Sequence, residues 1–283
     1  MFFIAVFTTL ILILFSVFIC YLNFLLLISI FWRKKIPVNL HMMLTYCRFG
    51  VDLVYTVVIL ILKIYFLLTQ ISTDFIIKNV HFSLVIPAAS IGNMRSVLTL
   101  LIALERVIAI YFPIFFHIYR QKLPNFVFLL IILTSELFNQ YMIFGFCGNV
   151  LETPVDCLNF FCAVNSCYYR YWFSNQQIVC FLNGAFSVAL VFRLYFWKYF
   201  SGTETNKDIS RATRIALLDF FIMLFFNIIP LYISSHITSV NLEILGLFIV
   251  LIKTFGYMIE GVITYRLLFN FKIIAANGTT PVS

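Results

Sequence analysis

Charged side chains are scarce in this sequence. Asp, Glu, Lys and Arg make up 11% of its 283 residues, whereas hydrophobic residues make up 63%. In soluble domains about a quarter of the residues are charged and about half are apolar. A single globular core of this size cannot bury so many apolar side chains. The composition therefore excludes an ordinary soluble domain and predicts an integral membrane protein.

Motifs of common enzymes are also missing. The sequence contains no nucleophile elbow, no His-Glu-x-x-His helix and no glycine-rich phosphate loop. The formal net charge is +8, but no basic block is interleaved with base-stacking aromatic residues. A basic balance in a membrane protein usually reflects basic cytoplasmic loops. We therefore predict neither an enzyme nor a nucleic-acid-binding protein, and we predict no cofactor or metal site.

Long apolar segments recur along the whole chain. Each is long enough for a membrane helix, which needs about 20 residues. We predict an all-α membrane protein, a seven-transmembrane helix bundle that forms one domain over residues 1–283. A cysteine-rich extracellular loop is expected at 147–177 and a cytoplasmic tail at 266–283. The predicted spans are 2–32, 40–68, 81–111, 125–146, 178–197, 212–235 and 242–265.

The distribution of basic residues predicts the orientation of the bundle. The first span has no charge and is too long for the apolar core of a signal peptide, and a basic cluster, 33–35, follows it. With the N-terminus outside and the C-terminus in the cytoplasm, twelve Lys and Arg residues lie inside, two lie outside and five lie within or near the membrane. Cytoplasmic loops carry such an excess, so this orientation and an odd number of spans are favoured.

Four of the seven cysteines crowd into the predicted extracellular loop. An even, dense set of cysteines outside the cell is typical of disulfides, and two bridges can connect four cysteines in three ways. A zinc site is the alternative interpretation, but the loop contains no histidine. The disulfide candidates are Cys147, Cys157, Cys162 and Cys167.

Four charged residues are predicted near the middle of the membrane. An isolated charge there costs several kcal/mol, so each is either paired or part of a functional site. Two acids and two bases at similar depth can neutralise one another and so hold the helices together. Alternatively, Arg95 and Lys253 meet a ligand carboxylate in a pocket between them. The four candidates are Asp52, Arg95, Glu136 and Lys253.

An acid–base pair, Glu105-Arg106, stands at the cytoplasmic end of the third span. Taken alone, an arginine at a helix end is commonly an interfacial anchor. The surrounding residues, however, resemble the acid-Arg-aromatic motif of seven-helix G-protein-coupled receptors and the proline of their second intracellular loop. The resemblance implies that the acid holds the arginine in the inactive state and that the freed arginine meets the G protein. The matching residues are Glu105, Arg106, Ala109, Ile110 and Pro113.

The chain departs from rhodopsin-like receptors at two positions. The segment 81–89 has no cysteine at the top of the third helix, and 257–265 has no Asn-Pro-x-x-Tyr motif. The pattern is similar to the nematode serpentine chemoreceptors, most of all their BC class. The stretches that carry this similarity are 94–102, 105–120, 155–172 and 210–219.

This family resemblance implies a G-protein-coupled chemosensory receptor. Such a receptor detects a small-molecule odorant, tastant or pheromone, activates a heterotrimeric G protein, and lies in the plasma membrane of chemosensory neuron cilia. Arg211 and Arg214 lie three residues apart, on one helix face at the entry to the sixth span, and would contact lipid headgroups or the G protein. The alternatives are a ligand-gated channel or transporter with similar helices, and a receptor-like membrane protein that does not signal.

Overall fold

The computed structural model of the protein is a bundle of helices. It describes residues 2–34, 42–72, 75–122, 124, 126–150, 160–201, 214–215, 217–218, 220–236 and 242–277. We number the α-helices α1 (Phe2–Leu27), α2 (Met43–Ile71), α3 (Val80–Tyr111), α4 (Pro113–Lys122), α5 (Phe126–Gln140), α6 (Phe160–Ala163), α7 (Ser166–Ser201), α8 (Ile229–His236) and α9 (Leu242–Asn277). No β-strand occurs in these ranges, and the predicted all-α helix bundle is confirmed.

Five of the described helical segments are long and apolar enough to cross a membrane, by length and composition. Large apolar side chains on them face outward, such as Leu14, which is 68% exposed, and Leu137, which is 71% exposed. Contiguous apolar surface of this kind is rare on soluble proteins and suits contact with lipid. The five segments are Phe3–Trp32, Met43–Ile71, Phe126–Phe146, Ser166–Arg193 and Leu247–Phe269.

Helix α3 lies at the centre of the bundle and packs against α2, α5 and α7. Its central position agrees with its sequence, because its buried residues include Asn93, Thr99, Glu105 and Arg106. Such polar side chains face the bundle interior because hydrocarbon offers them no hydrogen-bond partner. The polar contacts that could form a functional site therefore converge on α3.

The C-terminal end of α3 is followed at once by a second helix. Phe112, with φ −127° and ψ 62°, leaves the helical conformation, although its N–H still bonds the Ile108 carbonyl at 2.9 Å. Pro113 then begins α4, where its fixed φ suits the first helical position and no N–H is needed. The segment 112–124, expected to be a loop, thus contains a helix of ten residues.

The segment that was expected to form the extracellular loop is shorter than predicted. We predicted a loop over 147–177 and a span over 178–197, but α7 already begins at Ser166. Asn165 caps the helix, because its side-chain oxygen accepts a hydrogen bond from the Tyr168 N–H at 2.9 Å. Polarity misled the prediction here, since the first turns of α7 carry polar and interfacial aromatic side chains.

Two further helices depart from the sequence-based bounds. Pro230 lies within the predicted sixth span, and it is preceded by a π-helical segment, Met223–Ile228. Such segments accommodate the hydrogen bond that a proline cannot make. At the C-terminus α9 continues to Asn277, so the tail expected at 266–283 is helical over its first twelve residues. Residues 278–283 lie outside the described ranges.

Candidate functional site

Two arginines and two carboxylates form a buried cluster between α2, α3 and α9. The Arg95 Nε lies 2.6 Å from Oδ1 of Asp52, and its Nη2 lies 2.9 Å from Oε2 of Glu260. Arg48 is ion-paired with the same Glu260, and its Nε lies 3.5 Å from Oδ2 of Asp52, which follows Arg48 by one turn of α2. The exposed fraction of these side chains is at most 12%. We call these four residues the central ion cluster.

The central ion cluster is electrically balanced. Its two guanidinium groups carry two positive charges and its two carboxylates carry two negative charges. Buried charges of this kind are tolerated when good geometry and hydrogen bonds offset the loss of water. The cluster therefore holds three helices together through charge, and loss of any single member leaves an uncompensated charge inside the membrane.

The sequence predicted half of this cluster. Asp52 and Arg95, expected to neutralise a charge at similar depth, are indeed in contact. Arg48 and Glu260 were not among the predicted site residues. Arg48 was detectable, because it lies four residues before Asp52 and therefore on the same helix face. Glu260 had no such signal, since its partners are distant in the sequence.

Lys253 lies beside the cluster and extends it with aromatic groups. Its Nζ is 5.8 Å from the centroid of the Tyr257 ring, and the Arg95 Cζ is 4.0 Å from the same centroid. Tyr55 makes an edge-on contact with that ring. Cations over an aromatic face are attracted by the electron-rich ring. Two basic side chains therefore share one tyrosine beside the cluster.

A cavity of about 20 Å³ adjoins the central ion cluster. Asp52, Arg95, Tyr257 and Glu260 line it, together with residues of α1 that include Asn23. This volume holds about one water molecule. Drug-sized ligands occupy pockets of about 300–1,000 Å³. A ligand at this position therefore requires the surrounding helices to move apart.

Glu136 lies apart from the other three predicted charges. Its carboxylate accepts hydrogen bonds from the side-chain amides of Gln140 at 2.8 Å, Asn93 at 3.3 Å and Asn139 at 3.3 Å. No basic side chain within the described ranges is ion-paired with it. The expectation that Glu136 neutralises a base in the same group is therefore wrong for this structure, because neighbouring amides on α3 and α5 satisfy it instead.

The amide network around Glu136 continues towards the N-terminal end of α7. Tyr168 donates its hydroxyl to Oδ1 of Asn139 at 3.0 Å, and Asn175 donates an amide N–H to Oδ1 of Asn93 at 3.1 Å. Tyr168 also packs in one apolar cluster with Phe82 of α3 and with Ile143, which lies in the π-helical segment directly after α5. The aromatic run 168–173 thus contributes to helix packing as well as to the membrane interface.

A disulfide joins Cys147, which directly follows the π-helical segment Tyr141–Phe146 after α5, to Cys167 in the first turn of α7. The chain turns sharply at Gly148, whose φ of +58° suits glycine. Asn165 donates a hydrogen bond to the Cys147 carbonyl at 2.6 Å and so reinforces the connection. Cys162 is also disulfide-bonded, which rules out zinc ligation by three of the four loop cysteines, and Cys157 lies outside the described residues.

The C-terminal end of α3 carries a second buried group of charges. Glu105, Arg106 and Arg120 are each less than 5% exposed. The Arg106 Nη2 lies 3.4 Å from Oε2 of Glu105. The Arg120 Nε lies closer, 2.6 Å from Oε1 of the same carboxylate. Arg120 was not a predicted site residue, although its position in the basic segment after Pro113 placed it on this side of the membrane.

The remaining predicted coupling residues differ in their exposure. Ala109 is 3% exposed, one turn beyond Glu105, and Ile110 is partly buried. Pro113 is exposed at the start of α4. Arg214 is exposed, whereas Arg211 lies outside the described residues. In the part of the chain that the structure describes, no group of three or more His, Cys, Asp or Glu side chains is placed to hold a metal ion.

These features define a multi-pass helical membrane protein whose charged groups are buried around a central third helix. The family model for the serpentine type 7TM GPCR chemoreceptor Srbc matches residues 1–272, so the chain belongs to this family of chemoreceptors. This match confirms the resemblance to the BC class of serpentine receptors. A comparison with curated proteins gave no match.

Proposed function

We propose that this protein is a chemosensory receptor that binds a small molecule within its helix bundle and activates a heterotrimeric G protein. The observation that carries the proposal is the buried pair Glu105-Arg106 at the inner end of α3, followed directly by α4. A buried acid–arginine pair at a membrane edge has two arrangements that differ in solvation, which is the property of a switch. The whole chain acts as one receptor domain.

The proposed orientation places the N-terminus outside and Arg106 in the cytoplasm. The excess of basic residues on one side supports this orientation. The disulfide between Cys147 and Cys167 supports it independently, because disulfides persist in the oxidising extracellular space. After four spans the chain returns to the side of its N-terminus, which is therefore the side of the disulfide.

We place the ligand above the central ion cluster, where α2, α3 and α9 meet. Arg95 and Lys253 offer positive charge there, and Tyr55 and Tyr257 offer aromatic surface. Because the adjoining cavity is only about 20 Å³, a ligand binds by favouring an arrangement in which these helices are further apart. Differential affinity for two arrangements is sufficient to shift the population towards the active one. Glu136 contributes from the neighbouring network.

Basal nucleotide exchange tests this function without knowledge of the ligand. Membranes that contain the receptor and a G protein are compared for wild type, Arg106→Ala and Arg33→Ala, at matched surface levels. Arg33 is an exposed control on the same side of the membrane. We expect exchange to fall in Arg106→Ala and to persist in Arg33→Ala. Equal, clearly raised exchange in wild type and Arg106→Ala would contradict the role of Arg106.

We propose that the receptor resides in the plasma membrane of chemosensory neuron cilia, as its family suggests. The same membranes also test the alternative of a channel or transporter. An ion current or uptake that persists without G protein, and that depends on Arg95 or Lys253, would favour that alternative. A tagged chain expressed in the animal and imaged in sensory neurons would test the location.

A further inference from the structure

Glu105 is shared between two arginines, and its contacts with them are unequal. The distance of 2.6 Å from Arg120 Nε to Oε1 is that of a full charge-assisted hydrogen bond. The distance of 3.4 Å from Arg106 Nη2 to Oε2 is longer than such bonds normally are. Both carboxylate oxygens are therefore occupied, and the stronger contact is made by the arginine outside the Glu105-Arg106 motif.

Arg120 is held in place by more than this one contact. It lies in the last turn of α4 and is 4% exposed, whereas its helix neighbour Lys122 is exposed. Its Cζ lies 5.1 Å from the centroid of the Phe128 ring on α5. The side chain therefore reaches from α4 back into the space between α3 and α5, and it draws Glu105 towards α4.

We infer that Arg120 is a positioning residue for G-protein coupling: it competes with Arg106 for Glu105 and thereby lowers the cost of freeing Arg106. The inference rests on the proposed function and deepens it. With Arg120 present, Glu105 divides its charge between two cations, and the pair that restrains Arg106 is weak. Without Arg120, both oxygens of Glu105 are available to Arg106, and a two-bond guanidinium–carboxylate pair restrains it.

This competition predicts the direction of an effect on signalling. Arg120→Gln should strengthen the restraint on Arg106 and lower basal nucleotide exchange, by about tenfold if the resting state gains one additional charge-assisted bond. Arg120→Lys keeps the charge and should retain part of the activity. Lys122→Gln is the matched control, because it removes the same charge from an exposed position on the same helix, and exchange should remain at the wild-type level.

A second measurement tests the geometry without any G protein. The melting temperatures of the purified receptor in detergent are compared for Glu105→Gln, Arg120→Gln and Arg106→Gln, and for the two double variants that contain Glu105→Gln. We expect the pair Glu105/Arg120 to be strongly non-additive, since the second substitution removes a bond already lost. The pair Glu105/Arg106 should be closer to additive.

The outcomes distinguish this inference from the proposed function. Higher exchange in Arg120→Gln than in wild type, or a stronger coupling of Glu105 to Arg106 than to Arg120 in the melting experiment, would overturn the competition. Lower exchange in Arg106→Ala together with unchanged exchange in Arg120→Gln would also overturn it while leaving the proposed function intact. If Arg106→Ala has no effect on a clearly raised exchange, the proposed function fails, and the melting experiment still decides which arginine Glu105 binds.

Discussion

Glu260 belongs to the central ion cluster, and neutralising it should destabilise the bundle more than neutralising a buried carboxylate that lies outside this cluster. Glu260 is the partner of both Arg48 and Arg95. Glu260→Gln keeps the size of the side chain but removes its charge, so that two guanidinium groups share the single carboxylate of Asp52. The cluster changes from net charge zero to net charge +1 in a place with little access to water, because these side chains are at most 12% exposed.

The expected loss is about 3–5 kcal/mol in the free energy of unfolding, the range found when one partner of a buried ion pair is removed. A Coulomb estimate agrees, since a pair of unit charges about 4 Å apart contributes about 4 kcal/mol at an effective dielectric constant of 20. The assay is reversible unfolding of the purified protein in mixed detergent micelles, followed by helical circular dichroism. If unfolding is irreversible, the melting temperature at a fixed scan rate is compared instead of the free energy of unfolding.

Two further variants show whether charge is the cause. Glu136→Gln is a matched control, because Glu136 is equally buried but is bonded by amides, and it should lose only about 1 kcal/mol. The double variant Arg48→Gln/Glu260→Gln restores neutrality and should be more stable than Glu260→Gln alone. The reasoning is refuted if Glu260→Gln unfolds like wild type, or if the losses of Arg48→Gln and Glu260→Gln simply add.

Two other predictions concern the extracellular end and the aromatic site. Cys167→Ser should lower the free energy of unfolding by about 2–4 kcal/mol through loss of the bond to Cys147. Calorimetry measures this loss, with Cys20→Ser as the control because Cys20 is a free cysteine. Equal melting temperatures of the two variants would contradict the prediction. Lys253 pairs with no carboxylate in the described part of the chain. Lys253→Met should therefore preserve or raise the melting temperature, because it removes a buried charge that no carboxylate neutralises. A fall as large as that of Arg95→Met would instead make Lys253 a structural residue.

The sequence by itself determined the class of the protein. The scarcity of charge and the repeated apolar segments required a membrane, because no globular core of this size hides so many apolar side chains. The motif Glu105-Arg106 through Pro113 pointed to the receptor family, and the family match confirms this identification. These properties are local, since each depends on composition or on residues that are close together in the chain.

Helix ends were predicted less well, because they depend on individual caps. The start of α7 was placed twelve residues too late, although Asn165 is a strong capping residue. The polar and aromatic residues that follow it are typical both of a loop and of a helix at the membrane interface. Only the contacts of Tyr168 with α3 and α5 distinguish the two.

The partners of the buried charges were decided by the tertiary structure alone. Depth along a helix is readable from the sequence, and it placed Asp52, Arg95, Glu136 and Lys253 at a similar level. The rotation of each helix about its axis cannot be read from the sequence in the same way. The face of α5 that carries Glu136 is turned towards α3 and α7, so side-chain amides bind this carboxylate, whereas Asp52 and Arg95 lie in one cluster with Glu260. In the same way, the return of α4 against α3 brings Arg120 to Glu105, fifteen residues away in the chain.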